Sequence, residues 1–301
     1  MVDTGIVTKR TKGFYYLLDE NGEMVECKVK GQLFKSSRYD NQIAVGDRVS
    51  FSRSDADDIG LISGIKERQS FLSRSRVGIE AEQIIAANVD NLLVVAATKK
   101  PPFRTNFVNR ILVAANVGNI KPVLVLTKTD LVSKQEIADL LEPYRNIELD
   151  IIESTTKSEA SDSELKTLLV GKVSVLAGQS GVGKSSLLNK LFPGLDIKVG
   201  AVSHKTSKGS HTTTYAIMHQ VVKNTFVIDT PGIREFGLWG INRDNLGENY
   251  PGLAAFNHQC KHRDCHHIHE PDCAVKDAVE SGSIHKSLFS GYQSIYHSLA
   301  N

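Results

Sequence analysis

The chain has 301 residues, 41% of them hydrophobic and 23% charged, a composition that excludes a disordered or fibrous protein and gives room for two or three packed domains. A formal net charge of +2 is too small to argue for a nucleic-acid partner by itself. No segment approaches the ~18 consecutive apolar residues of a membrane span, and the N-terminus lacks the apolar core of a signal peptide, so a cytoplasmic protein without membrane contact is expected.

Residues 1–70 read as short strands. "GIVTKR", "GFYYLLDE", "EMVECKVKG", "VGDRVSFS" and "IGLISGIKE" are β-rich runs separated by polar turn segments. Five strands in so short a span predict a small closed barrel of the OB or SH3-like type. Such a barrel can bind RNA or act as a spacer or interaction module. Phe14, Tyr15, Tyr16, Phe34 and Tyr39 are able to stack on bases, though most of them are expected in the core. Cys27, on the third strand, is expected to be packed.

From Asp90 onward the texture changes. "NLLVVAAT", "KPVLVLTK", "ELDIIEST" and "KVSVLAG" are continuous apolar runs, as strands buried on both faces are. Helical patterns alternate with them: "RTNFVNRILVAANVG", with Phe107, Ile111, Ala114 and Ala115 on one face, then "SKQEIADLLEPYR", "SDSELKTLLVG" and "KSSLLNKLF". Alternation of this kind predicts a parallel α/β sheet over residues 71–240. Two more strands follow, "YAIMHQVV" and "TFVIDT". Residues 241–301 are His-rich and then helical.

The chemistry concentrates at four places. "GQSGVGKSS" at 178–186 satisfies G-x-x-x-x-G-K-[ST] between a strand and a helix, which is the context a phosphate loop requires. Gly178, Gln179, Ser180, Gly181, Val182 and Gly183 supply backbone N–H groups, with Ser186 just beyond. Lys184 reaches the β- and γ-phosphates, and the Ser185 hydroxyl can ligate Mg²⁺. "VIDTPG" at 227–232 ends another apolar strand. Such a tetrapeptide alone is usually a turn. After a phosphate loop, Asp229 is placed for Mg²⁺ and Gly232 for a γ-phosphate. "SHTTT" at 210–214 lies between them, and Thr213 is the favoured third Mg²⁺ ligand.

Those motifs say nucleoside triphosphate but not which base. "TKTD" at 127–130 addresses that. A carboxylate at Asp130 can accept both N1–H and N2–H of guanine, a pair of donors adenine does not offer. Lys128 can lay its stem across the ring. The departure is Thr127, where GTPases most often have Asn, so whether the usual brace forms there is left to the structure. The "STT" run at 154–156 stands where a second base-contacting loop would be. GTPases ordinarily carry the phosphate loop first; here the base-reading strands precede it. Chain ends of compact domains are often close together, which tolerates circular permutation.

Hydrolysis needs an oriented water. The residue after D-x-x-G is Ile233, which cannot supply one, so His211 beside the switch threonines is the candidate. Cys260, Cys265, His267 and Cys273 form C-x₄-C-x-H-x₅-C, the donor set of one structural Zn²⁺, with His262, His266 and His269 as alternative imidazoles.

Barrel, "TKTD", "GQSGVGKSS", "HTTT", "DTPG" and the Cys/His cluster, in that order, cover nearly the whole chain. The combination closely resembles the bacterial ribosome small-subunit-dependent GTPase A family. The resemblance implies three parts: an OB-fold barrel at 1–70, a circularly permuted GTPase domain at 71–240 and a helical zinc-binding domain at 241–301. It implies a monomer that binds GTP and GDP, contacts the small ribosomal subunit and its rRNA, assists late maturation and is stimulated by that subunit. Ser210 departs from the Arg that usually precedes the switch His. The alternatives are an RNA-binding assembly scaffold with nucleotide as a structural ligand, and an ATP-using P-loop kinase or transporter subunit, against which "TKTD" argues.

Overall fold

The aliphatic run at 91–97 becomes β8 (Asn91–Ala97), in which every residue is buried; a strand apolar without alternation has both faces covered. To reach it the chain first forms β1 (Asp3–Arg10), β2 (Tyr15–Asp19), β3 (Met24–Val29), β4 (Arg48–Ser52), β5 (Gly60–Ile65), β6 (Phe71–Ser75) and β7 (Glu82–Ala87). The structure, a computed structural model, describes residues 2–29, 43–53, 59–75, 81–155, 160–194, 216–230 and 237–299. Phe34, Tyr39, Thr156, Ser210, His211, Thr213, Gly232 and Ile233 lie outside them.

The first five strands close into the expected barrel. The β1 strand pairs with both β2 and β4, β2 with β3, β3 with β5 in parallel, and β5 with β4. Val7, Leu17, Cys27, Val49, Phe51 and Ile62 fill its interior. Burial pushes the Cys27 thiol up to about 11, so it is an inert core group. Tyr15 is also core. Phe14 and Tyr16 are half-buried, with the Lys28 and Lys9 ammonium groups over their rings at 4.9 and 5.4 Å.

Beyond β8 come α1 (Thr105–Val117), β9 (Lys121–Thr127), α2 (Lys134–Leu141), β10 (Asp150–Glu153), α3 (Ala160–Leu169), β11 (Val173–Ala177), α4 (Lys184–Leu191), β12 (Ile217–Val222) and β13 (Thr225–Asp229). The spatial order is β10-β9-β8-β11-β13-β12. All neighbours are parallel except β12, which is antiparallel to β13. The phosphate-loop strand β11 thus sits mid-sheet although the chain builds β8, β9 and β10 first. A tight turn from α3 to β11, with Lys172 N–H donating to the Leu169 carbonyl at 3.1 Å, makes the permuted connection. On one face Leu92, Val94 and Ala96 pack with α1; on the other Leu93, Val95 and Ala97 pack with Leu165 and Leu169 of α3 and Leu187, Leu188 and Leu191 of α4. Ser133 and Glu136 form a reciprocal capping box at the start of α2.

Two features were not legible in the sequence. The β6–β7 hairpin lacks clean alternation, yet it bridges the barrel and the α/β sheet. Ala87 N–H donates to the Val45 carbonyl at 2.8 Å, Phe71 N–H to Gly118 at 2.9 Å, and Ser75 N–H to Gly237 at 3.1 Å. The barrel also joins the large sheet directly, since β1 pairs with β12 at Lys9 and Ile217. Together they make one sheet of eleven strands.

The C-terminal segment forms α5 (Leu246–Asn249), α6 (Ala254–Asn257), α7 (Ala274–Glu280) and α8 (Lys286–Ser298). The sequence predicts one apolar face on α1. The structure also buries Val108, Asn109, Leu112 and Val113, because α8 covers the side turned away from the sheet. Between the two helices lies a buried polar network. Asn109 Nδ2 donates to the Tyr250 hydroxyl (2.7 Å), which donates to the Leu288 carbonyl (2.7 Å), and the Tyr144 hydroxyl donates to Asn109 Oδ1 (3.0 Å). Gly291 permits this approach: a Cβ there would stand 2.2 Å from Asn109 Nδ2 and 2.6 Å from the Tyr250 oxygen. Gly291→Ala is therefore expected to destabilise the docked α8 by about 2 kcal/mol, read as a lower urea midpoint. An unchanged midpoint would show that the helices separate at no cost.

Candidate nucleotide site and metal centre

The phosphate loop leaves β11 and turns into α4 through Gly181 and Gly183, whose φ values of 80° and 100° lie in the left-handed region that side chains disfavour. The N-cap of α4 is Gly183, which brings no side-chain cap; helix N-termini of this kind favour anions. Lys184 curls back over the loop, its Nζ donating to the carbonyls of Gly178 (2.7 Å) and Gln179 (3.0 Å). Gly178 and Val182 are buried, Gln179, Ser180 and Ser185 are half-buried, and Ser186 is exposed.

The base-side motif lies against this loop. Thr127 ends β9 and is buried; its Oγ1 donates to the Val182 carbonyl at 2.6 Å, with a longer branch to Ala96 at 3.2 Å. The hydroxyl thus ties the "TKTD" strand to the phosphate loop. Lys128 has a left-handed backbone (φ 58°) and stretches to the Gly181 carbonyl at 2.7 Å and to the Lys100 carbonyl. Asp130 is exposed on a single 3₁₀ turn. Parallel pairing of β10 with β9 brings the 154–155 loop alongside: Ser154 N–H donates to the Leu126 carbonyl at 2.7 Å and Thr155 Oγ1 to Asp130 Oδ1 at 3.4 Å.

Asp229 stands at the end of β13, paired with Leu176 just before the phosphate loop. Thr230 Oγ1 fixes that end by donating to the Leu176 carbonyl at 3.0 Å. The structure therefore brings together Thr127, Lys128, Asp130, the 178–186 loop and Asp229. His211, Thr213 and Gly232 are outside the described residues. Sequence reasoning missed Thr98, whose Oγ1 donates to the Lys128 carbonyl at 2.7 Å, and Lys190, whose Nζ donates to the Thr155 carbonyl at 2.9 Å. Neither belongs to a motif. Only strand register and helix phase give them these partners.

The second centre lies in the C-terminal segment. Cys260, Cys265, His267 and Cys273 offer four ligand atoms within 4.8 Å of one another, a group that could hold a metal ion. His267 Nδ1 is 3.5, 3.4 and 3.4 Å from the three sulfurs, and Cys260 and Cys273 Sγ are 3.9 Å apart. Zinc bond lengths place the corners of a tetrahedral S₃N set roughly 3.6–3.8 Å apart, so the residues fit. Burial lowers the His267 pKa and keeps the imidazole neutral, as a ligand must be. Its Nε2–H donates to Asn257 Oδ1 at 2.6 Å, which turns the Nδ1 lone pair to the thiols. His266 instead meets Asp244 at 3.0 Å, while His262 and His269 are exposed. Burial pushes the Cys265 thiol up to about 12, so a metal must displace its proton. Glu270 holds the loop. Burial opposes its ionisation, but its own backbone N–H and those of His266, Ile268 and His269 outweigh that and bring its pKa to about 2.

A G-x-x-x-x-G-K-S loop on the central strand, with the strand that carries "TKTD" earlier in the chain and a five-stranded barrel ahead of it, defines a circularly permuted GTPase. Residues 65–239 match the family model for the RsgA GTPase and residues 4–62 that for the RsgA N-terminal domain. The chain belongs to the RsgA GTPase family, and it hydrolyses GTP. Proteins named small ribosomal subunit biogenesis GTPase RsgA are similar over nearly its whole length. That of Chlorobaculum parvum is 37% identical, covering 98% of each chain, and that of Christiangramia forsetii is 36% identical, covering 97% of this chain and 95% of the relative. Among solved structures, YjeQ from Thermotoga maritima is 31% identical with a TM-score of 0.79 and 99% of both chains covered. YloQ, described as a circularly permuted GTPase, is 30% identical with a TM-score of 0.75, covering 99% of this chain and 95% of its own. Among the described residues no helix is long and apolar enough to cross a membrane.

Proposed function

We propose that the chain is a GTP-driven switch that binds the small ribosomal subunit through rRNA and assists its late maturation as a cytoplasmic monomer. The observation that carries this reading is that likeness to proteins named for small-subunit biogenesis runs through barrel, GTPase domain and Cys/His segment alike. The shared ladder of β1 and β12 supports it. RNA held by the barrel and the 210–214 segment just ahead of β12 would act on neighbouring strands.

In this reading Asp130 reads guanine, Lys128 covers its ring, the 178–186 loop and Gly232 hold the phosphates, and Lys184 neutralises charge developing on them. Mg²⁺ bound with GTP screens the phosphates, and Ser185, Thr213 and Asp229 would hold it. One Zn²⁺ would occupy the Cys260, Cys265, His267 and Cys273 site and fix the C-terminal segment for RNA contact. His211 orients the attacking water.

The deciding experiment measures GTP and ATP hydrolysis with and without purified small subunits. GTP turnover is expected to rise with subunit concentration and ATP turnover to stay flat; GTP turnover unchanged over a wide subunit range would defeat the ribosomal assignment. His211→Ala should lower the stimulated rate by about a hundredfold while GTP binding stays intact. Undiminished turnover would remove His211 from the mechanism. A Lys184→Ala chain that still supported subunit maturation would favour the scaffold reading.

A further inference from the structure

We propose that Lys190 is a specificity-determining positioning residue, which holds the 154–155 loop against Asp130 and so sets the preference for guanine. The proposal rests on the guanine-site reading above. Lys190 lies near the C-terminal end of α4, the helix that Lys184 begins. Its Nζ donates to the Thr155 carbonyl at 2.9 Å and pairs with Asp162 Oδ2 at 2.7 Å, with side-chain exposures of 28% and 12%. Asp162 is in the first turn of α3, the helix that follows the 154–155 loop. Thr155 in turn reaches Asp130 through its hydroxyl at 3.4 Å. One cation therefore ties Thr155 to the first turn of α3, and Thr155 touches the carboxylate that reads the base.

The physical case is the geometry of α4. A rigid helix of eight residues is ~12 Å long, so one end can carry the phosphate-binding lysine while the other fixes the base-side loop. Without Lys190 the nearly buried Asp162 carboxylate loses its paired cation, and an unpaired buried charge is costly enough to move the segment that carries it. The Thr155 carbonyl loses a charge-assisted donor at the same time. Both changes loosen the backbone beside Asp130. Neither reaches the phosphate loop, whose ties run through Thr127 and Lys128.

The test uses the full chain, with GDP, ADP and XDP affinities measured by calorimetry and GTP hydrolysis followed in parallel. Lys190→Met is expected to weaken GDP binding about tenfold while ADP binding holds, so that discrimination between the bases collapses. The loss falls on KM and leaves kcat in place, and Lys190→Arg restores it. Asp162→Asn, which removes the charge and little volume, should lower GDP affinity in the same direction. It decides the matter if Lys190→Met does not fold. A parallel fall in GDP and ADP affinity, or no change in either, overturns the proposal and leaves Lys190 a structural staple. Asp130→Asn separates the two levels. If Asp130 reads guanine, that variant exchanges GDP for XDP, whose 2-carbonyl accepts from the new amide. A variant that keeps its GDP preference sinks the guanine site itself. An exchange to XDP beside an unaltered Lys190→Met sinks the clasp alone.

Discussion

Stripping the metal from the Cys260, Cys265, His267 and Cys273 centre is expected to unfold the 258–273 segment and to release α8 from the GTPase domain. Metal analysis should find one Zn per chain. Apparent binding energies for structural zinc in small peptides run to ~10–16 kcal/mol, against a whole-domain stability of ~5–15 kcal/mol. The segment has little regular structure: α5 and α6 are single turns of four residues each, and the loop from 258 to 273 is held by Glu270, by the cluster itself and by side-chain ties such as that of the Tyr292 hydroxyl to the His266 carbonyl. Its loss would expose Tyr250, Leu288 and Tyr292, which share one core with α1 and the sheet. Cys265→Ser and a chelator should act alike, raising protease sensitivity after residue 240 and lowering the thermal midpoint. A chain whose proteolysis and melting are the same with and without metal would defeat the structural-zinc assignment.

Thr127→Val is expected to weaken GTP and GDP binding together, by up to about a hundredfold, although the substitution keeps size and shape. The missing hydroxyl leaves the Val182 carbonyl without its 2.6 Å donor at a buried position. Such an unsatisfied group costs ~1–3 kcal/mol, which is recovered only if the phosphate loop shifts. Because the loop must then be reordered on binding, the cost appears in affinity for every nucleotide and not in the choice of base. Thr127→Ser retains the donor and should bind as the parent does. If the valine variant binds GDP normally, the tether plays no part in shaping the loop. The two predictions read different partners, since Thr127 acts on the phosphate loop whereas Lys190 acts on the base-side loop.

Thr127 also shows where sequence reasoning stops. At this position GTPases most often carry Asn, and the sequence alone leaves the brace undecided. The structure closes the gap through proximity: β8 and β9 pair at Ala97 and Thr127, and the phosphate loop folds close enough over that corner for a hydroxyl to reach. Cys27 and His267 were both named from the sequence, the first as a packed core group and the second as the imidazole of the Cys/His cluster. The structure buries Cys27 and turns His267 to the thiols through Asn257, while His266 meets Asp244.

Most local elements were legible in the sequence, the β6–β7 pair excepted. Five short β runs gave a barrel, unbroken apolar runs gave a parallel sheet, and contiguous motifs marked the candidate phosphate loop, the candidate base-side carboxylate and the thiol cluster. These depend on periodicity and on residues a few positions apart, where backbone geometry alone sets the spacing. Only the tertiary structure decided what passes between elements: the β1–β12 ladder, the β6–β7 bridge, the second buried face of α1 under α8, and the Lys190–Asp162 clasp. Each joins residues far apart in the chain, and their meeting depends on strand register and helix packing that no local pattern encodes. The "TKTD" motif at 127–130 and the "GQSGVGKSS" motif at 178–186 were each legible where they stood. That a single threonine hydroxyl joins them was decided by the packing of β9 against the turn into α4.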